Sequence, residues 1–261
     1  MTDVTLHIDK TLEQNAALYF EKAKKSKKKL AGVLAVLERS LKKLGEIESK
    51  QAAEALKPVV EKKVRKREWY EKFRWFFSSE GFLVIGGRDA TTNDIVVKKH
   101  ASPGDLVFHT DMAGSPFFIV KAEGREIGDD TIEEVAQATA SYNSHAWANG
   151  LSTIDVFYVN PDQVTKTANT GEFLGKGSFM IRGKTTYVHP TLGLAIGVKD
   201  GVIIGGPVDA VKKNADQFVV IVQGKDKASD IAKKIKAKFK VDVELDDIIR
   251  FLPAGGCQIK K

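Results

Sequence analysis

The residues best able to do chemistry fall into a few short stretches. His109 and Asp111 stand two apart, so on a strand their imidazole and carboxylate share a face. Such a pair can bind a metal or act in acid–base work, or it can be a structural or binding polar pair. Arg88, Lys98 and Lys99 sit on or beside expected strands, and Arg182 and Lys184 alternate to one face if their strand is regular. The run KTANTG at 166–171, opening with Lys166 and Thr167, offers amides and hydroxyls suited to a phosphate. The competing reading pairs Arg88 and Arg182 with Asp89, Asp111 or Asp155 inside the fold.

Other patterns are absent. The histidines have no HxxxH or HExxH spacing, and there is no GxSxG elbow or Walker A loop. The Gly86–Asp89 run follows an expected strand but lacks the spacing of a dinucleotide fingerprint. One cysteine, Cys257, excludes an intramolecular disulfide framework and a Cys-clustered zinc site. No catalytic residue, metal or cofactor is therefore assigned.

Charge says more than motifs. Of 41 Lys+Arg and 34 Asp+Glu in 261 residues, the first 80 hold 19 and 12, so the whole excess of +7 lies there. Two runs concentrate it: 22–29, with Lys24, Lys25 and Lys28, and 62–67, with Lys63, Arg65, Lys66 and Arg67. A localised basic segment points to a polyanion, nucleic acid before an anionic membrane surface. A solvated Lys-rich helix face is the plainer alternative. No apolar stretch approaches a membrane span and no signal peptide opens the sequence, so a cytoplasmic protein without a membrane partner is expected.

The elements that must carry these residues divide at about residue 76. Ala16, Phe20, Ala23, Lys27, Leu30, Leu34, Leu37, Leu41 and Leu44 keep the alternating spacing of a coiled-coil seam. Asp9 or Thr11 suits the N-cap, and Gly45 a stop. Ala52, Leu56, Val60 and Val64 supply a second helix, interrupted or started at Pro58, so residues 1–76 are expected as an antiparallel helical hairpin turning near 45–49. Both basic runs then fall at its open end. The aromatic cluster Trp69–Phe77 reads as a packed hinge rather than a base-stacking platform.

Residues 77–261 read as one α+β domain with a mixed sheet, including a β-hairpin/α/β/α extension over 190–261. Strands are expected at 82–87, 94–99, 105–110, 117–122, 154–160, 177–183, 194–206 (a hairpin turning on Asp200–Gly201) and 218–224. Helices are expected at 133–150, 208–215 and 226–239.

Against these residues a resemblance stands out. The stretch 68–121, from EWYEKFRWFF to PFFIVK, resembles the opening of the NFACT-R domain of NFACT proteins, and VTKTANTGEFLGKGSFMIRGK (164–184) its second signature. Residues 8–32 are similar to part of the family's coiled-coil middle region, and LDDIIRFLPAGG (245–256) to the tails of archaeal members. One departure is Met112–Pro116, where the family carries His-Gly-Ala/Ser. The resemblance implies an RNA-binding, non-enzymatic protein of ribosome-associated quality control of stalled translation, partnered by tRNA or rRNA and the large ribosomal subunit. The family's NFACT-N half has no counterpart here, so its tail-elongating activity is not carried over, and a separate NFACT-N-type chain is an expected partner. The unpaired seam also leaves room for a homodimer. The alternatives are a protein-docking coiled-coil adaptor and, behind it, a metal-assisted RNA-processing enzyme at His109 and Asp111.

Overall fold

A computed structural model describes residues 4–55, 67–167 and 174–260, with only the backbone for 50–55. Two compact units result, residues 1–65 and 66–261.

In the first unit, α1 (Leu12–Ala55) is one helix of 44 residues. Thr11 caps it reciprocally with Gln14: the Gln14 amide donates to Thr11 Oγ1 (3.2 Å) and the Thr11 amide to Gln14 Oε1 (3.0 Å). Buried Asn15 folds the preceding loop back, accepting from the His7 amide and donating to the carbonyls of His7, Lys10 and Thr11. The expected turn near 45–49 is not there: the helix runs through Gly45 and Ser49. A glycine in a helix interior costs only about 1 kcal/mol, which the flanking helix formers absorb. The expected second helix from Pro58 lies outside the described residues.

The second unit opens with β1 (Arg74–Phe77) and β2 (Leu83–Gly86), then α2 (Ala90–Ile95), which widens into a π turn over Val96–His100. Next come β3 (Leu106–Thr110), β4 (Phe118–Val120), α3 (Asp129–Ser141), α4 (Ser144–Ala148) and β5 (Val156–Val159). Two short strands, β6 (Val164–Thr165) and β7 (Met180–Ile181), pair with each other before β8 (Thr186–Val188). The chain continues through β9 (Leu194–Lys199), β10 (Val202–Gly206), α5 (Val208–Asn214), β11 (Gln217–Asp226), α6 (Ala228–Phe239), α7 (Leu245–Ile249) and β12 (Cys257–Ile259).

One sheet runs β1-β2-β4-β3-β5-β8 and another β10-β9-β11-β12. All pairings between these strands are antiparallel, where a mixed sheet was expected. The class, α+β, is as the sequence indicates. Helix α3 packs on β3, β4 and β5, and its Val135, Ala136, Ala138 and Ala140 join Phe108, Phe118 and Ile119 in one buried core. Helix α6 covers β11 and β12 through Ile231 and Ile235.

Two further expectations fail for local reasons. Residues 94–99, expected as a strand, form the end of α2 and the π turn. The β-branched pair Val96 and Val97 is buried side by side, so packing overrides propensity. The single helix expected at 133–150 is broken at Asn143, whose side chain caps α4 by accepting from the His145 and Ala146 amides. At Asp200–Gly201 the expected hairpin turn is present, both residues having positive φ (49° and 76°).

The buried ion pair of the domain is Asp105 with Lys121, and Asp105 also accepts from the Ser102 and Ala122 amides. Asp105 is 2% exposed, and the other hydrogen bonds of the Lys121 ammonium, to the His100 carbonyl and the Ser102 hydroxyl, carry no negative charge. Asp105→Ala is therefore expected to destabilise the fold by about 3 kcal/mol, read as a lowered urea midpoint at unchanged slope.

Candidate nucleic-acid interface

The turn after β2 organises the cationic side chains of the second unit. Asp89 is the N-cap of α2: its carboxylate accepts from the Thr92 amide at 2.8 Å, and the Thr92 hydroxyl receives the amides of Arg88 and Asp89. One turn on, Asn93 accepts from the Phe117 amide (3.1 Å) at the start of β4. Asp94 reaches the other way, accepting from the Gly177 amide (2.8 Å) and ion-pairing with Lys98 and Lys166, both at 3.0 Å. Burial raises its pKa, but the Lys166, Lys98 and Gly177 hydrogen bonds outweigh this and hold it at about 2. Gly177 is required here: its φ is +80°, and a Cβ would stand 2.6 Å from the Ala90 Cα.

These contacts change the meaning of several expected binding residues. Lys166 is committed to Asp94, the Gly175 carbonyl (3.0 Å) and the face of Phe179 (4.5 Å). Lys98 and Lys99 are both exposed, and Lys98 shares Asp94. Thr167 is exposed, its amide donating to Thr165 Oγ1, and the rest of the expected phosphate loop, 168–171, lies outside the described residues.

Arg182 and Lys184 are exposed, but β7 ends at Ile181 and Gly183 between them has φ +83°, so strand alternation does not relate them. Gln163 Nε2 clasps the carbonyls of both, and Arg182 Nη2 donates to the Thr167 carbonyl at 3.2 Å. Arg67 is tied to Asp247 at 3.3 Å. Lys24, Lys25 and Lys28 are exposed on α1, while Lys63, Arg65 and Lys66 lie outside the described residues.

His109 and Asp111 serve different neighbours. His109 stacks on Phe117 with ring centroids 3.9 Å apart, and burial pushes its pKa down to about 4. Asp111 is exposed and accepts from the Tyr187 hydroxyl at 3.0 Å. Among the described residues no group of three or more His, Cys, Asp or Glu could hold a metal ion.

Arg88, expected from the sequence, has two companions that the sequence did not single out. Arg74, Arg88 and Lys176 line one cleft of about 360 Å³, floored by Tyr142. Arg74 lies 4.0 Å from the centre of the Tyr142 ring, whose hydroxyl donates to the Phe251 carbonyl (2.8 Å). Arg88 Nη2 donates to the Phe73 carbonyl (3.1 Å). Burial, then the nearby charges of Arg74 and Arg250, lower the Arg88 pKa to about 10. Arg74, set between Phe73 and Trp75, was the available signal: a charged residue flanked by core aromatics must be paired or facing a ligand. Lys176 and Arg250 carried none.

The aromatic cluster is mostly core, Phe73, Trp75 and Phe76 being buried. Trp69 and Phe77 depart from this, 48% and 39% exposed, with Trp69 stacked on His100 at 4.8 Å.

Residues 72–183 match the family model described as "NFACT protein RNA binding domain". An archaeal Rqc2 homolog, aRqcH, of Methanocaldococcus jannaschii is 41% identical over 209 residues, 77% of this chain and 31% of that protein. The ribosome quality control complex subunit NEMF of Homo sapiens is 37% identical over 179 residues, 68% of this chain and 16% of its own length. The NEMF homolog of Drosophila melanogaster is 45% identical over 138 residues, 51% and 14% of the two chains. The chain thus spans under a third of the length of these relatives.

The histidine gives a pH prediction. Its folded pKa lies below the unfolded value of about 6.5, so the unfolded state binds the proton more tightly. Stability is full above about pH 6.5 and falls as the pH drops toward about 4. Denaturant midpoints at pH 7 and 4.5 are expected to differ less for His109→Gln than for the parent chain.

Proposed function

The chain belongs to the NFACT family, and on that premise we propose that it is an RNA-binding protein of ribosome quality control, working in the cytoplasm by association rather than catalysis. The observation that carries the reading is the confinement of the net charge of +7 to the first 80 residues, together with a matched RNA-binding domain that follows. No helix among the described residues is long and apolar enough to cross a membrane.

Six lysines fall between Lys22 and Lys29, a rise of about 10 Å on a helix, comparable with the spacing of a few phosphates. On α1, Lys24, Lys25 and Lys28 stand at i, i+1 and i+4 and share one arc of the helix. Such a cluster neutralises phosphates and releases counterions, giving affinity with steep salt dependence but little sequence preference. In the domain, Lys99, Lys176, Arg182 and Lys184 are among the exposed cations. Together they supply the contacts to tRNA or rRNA on the large ribosomal subunit, with a separate NFACT-N-type chain as a further partner.

The triple variant Lys24→Glu, Lys25→Glu, Lys28→Glu tests this. Co-sedimentation with purified large ribosomal subunits, and filter binding to tRNA, across a salt series should show weaker binding and a slope shallower by about 2–3. Binding that is unaltered in both strength and slope would remove the helix from the interface.

A second reading is favoured by a separate observation. Leu30, Leu34, Leu37, Leu41 and Leu44, the expected seam, are each 51–60% exposed among the described residues. An apolar stripe of this length docks another helix, in a homodimer or an adaptor complex. Analytical ultracentrifugation over a hundredfold concentration range should then reveal a dimer that Leu34→Glu with Leu41→Glu abolishes.

A further inference from the structure

We propose that the cleft between the β2–α2 turn and the 174–178 segment is a dedicated pocket for one phosphate group, held by Arg74, Arg88 and Lys176. The proposal deepens the RNA-binding reading and rests on it for the source of the phosphate, though not for the pocket itself.

The charge balance is the first argument. Three cations line the cleft against one carboxylate, Asp89, which is already accepting the Thr92 amide and hydroxyl as a helix cap. Arg250 adds a further positive field on Arg88, its own carboxylate neighbour being Asp247 at 3.8 Å. Like charges gathered in a half-buried cleft repel, and a fold tolerates the cost where an anion is to be bound.

Unused hydrogen-bonding capacity is the second. Of the cations lining the cleft, Arg88 has a buried, unpartnered Nε. Buried donors left unmade cost about 1–3 kcal/mol each, and their presence marks a functional requirement or an absent ligand. Of the Arg88 fork, the Phe73 carbonyl takes one Nη2 donor.

Third, the cations are preorganised to different degrees. Arg74 is laid on the Tyr142 ring and Arg88 is anchored to the Phe73 carbonyl, so little side-chain entropy remains to be lost on binding. Lys176 is exposed at the rim, next to Gly177, which Asp94 pins over Ala90. Two guanidinium forks and an ammonium around one volume fit the several oxygens of a phosphate better than the two of a carboxylate. A volume of about 360 Å³ has room for a phosphate together with part of the group it is attached to.

The phosphate can come from an RNA backbone or from a free nucleotide, and the test separates them. The full chain and its Lys176→Glu and Arg88→Gln variants are titrated with a short labelled single-stranded RNA, with a nucleoside monophosphate and, as control, with the matching nucleoside. Melting without ligand checks that each variant folds; Lys176, being exposed, keeps the test valid if Arg88→Gln does not.

Weakening of RNA binding by about tenfold in each folded variant, with a salt slope reduced by about 1, supports the pocket and assigns it to the RNA backbone. A rise in melting temperature with the monophosphate but not the nucleoside, lost in Lys176→Glu, supports the pocket and assigns it to a nucleotide. RNA binding equal in all three proteins, with no phosphate-dependent stabilisation, overturns the pocket while leaving the RNA-binding reading intact. Absence of RNA binding by the parent chain alongside a Lys176-dependent phosphate response sinks that reading and leaves the pocket.

Discussion

The hydrogen bonds between Asp89 and Thr92 are the constraint on which the functional face of the domain depends. They start a helix directly where β2 ends, and three residues flanking the cap, one before it and two after, reach three different parts of the fold. Asn93 fixes the entry of β4, Asp94 holds the 174–178 segment and two lysines, and Arg88 is drawn back onto the Phe73 carbonyl before β1. A capping interaction is worth only about 1 kcal/mol by itself. Its weight here comes from direction: one turn of helix aims side chains at elements distant in sequence.

Cations of the same domain fall into two populations. Lys121, Lys166 and Arg67 are committed to Asp105, Asp94 and Asp247, and act as ties between segments. Arg74, Arg88 and Lys176 gather round a cleft with one carboxylate already engaged in capping. Net charge cannot separate these cases, because residues 66–261 hold 26 cationic and 25 anionic side chains and nearly cancel. The distribution of partners, not the total, makes one part of a nearly neutral domain attractive to an anion.

The first unit follows a different physics. Its long helix buries almost nothing of itself among the described residues; Asn15 is the exception, and it serves to fold the N-terminal loop. A helix with an apolar stripe and a lysine-rich run gains its stability and its use from what it meets. That makes it an element for contact, with charge and apolar surface set along the same rod.

Much was legible from residue types alone. Turn chemistry at Asp200–Gly201, the long periodic helix, the apolar runs of β2, β3, β4 and β5 and the α+β class all follow from local rules acting over a few residues. The signatures at 68–121 and 164–184 likewise carried the family. What failed, failed where distant contacts decide. Val96 and Val97 favour a strand by propensity, but Asp89 had already begun a helix and the core accepted both valines. Lys166 looked like a phosphate ligand until Asp94 claimed it, whereas Arg74 was hidden in an aromatic run and Arg250 lay 176 positions away from it. The sequence by itself determined which charges this protein possesses and where along the chain its apolar periodicity runs. Only the tertiary structure decided which cations are neutralised and which face a cleft, because a partner is chosen by proximity in space, and proximity follows from packing.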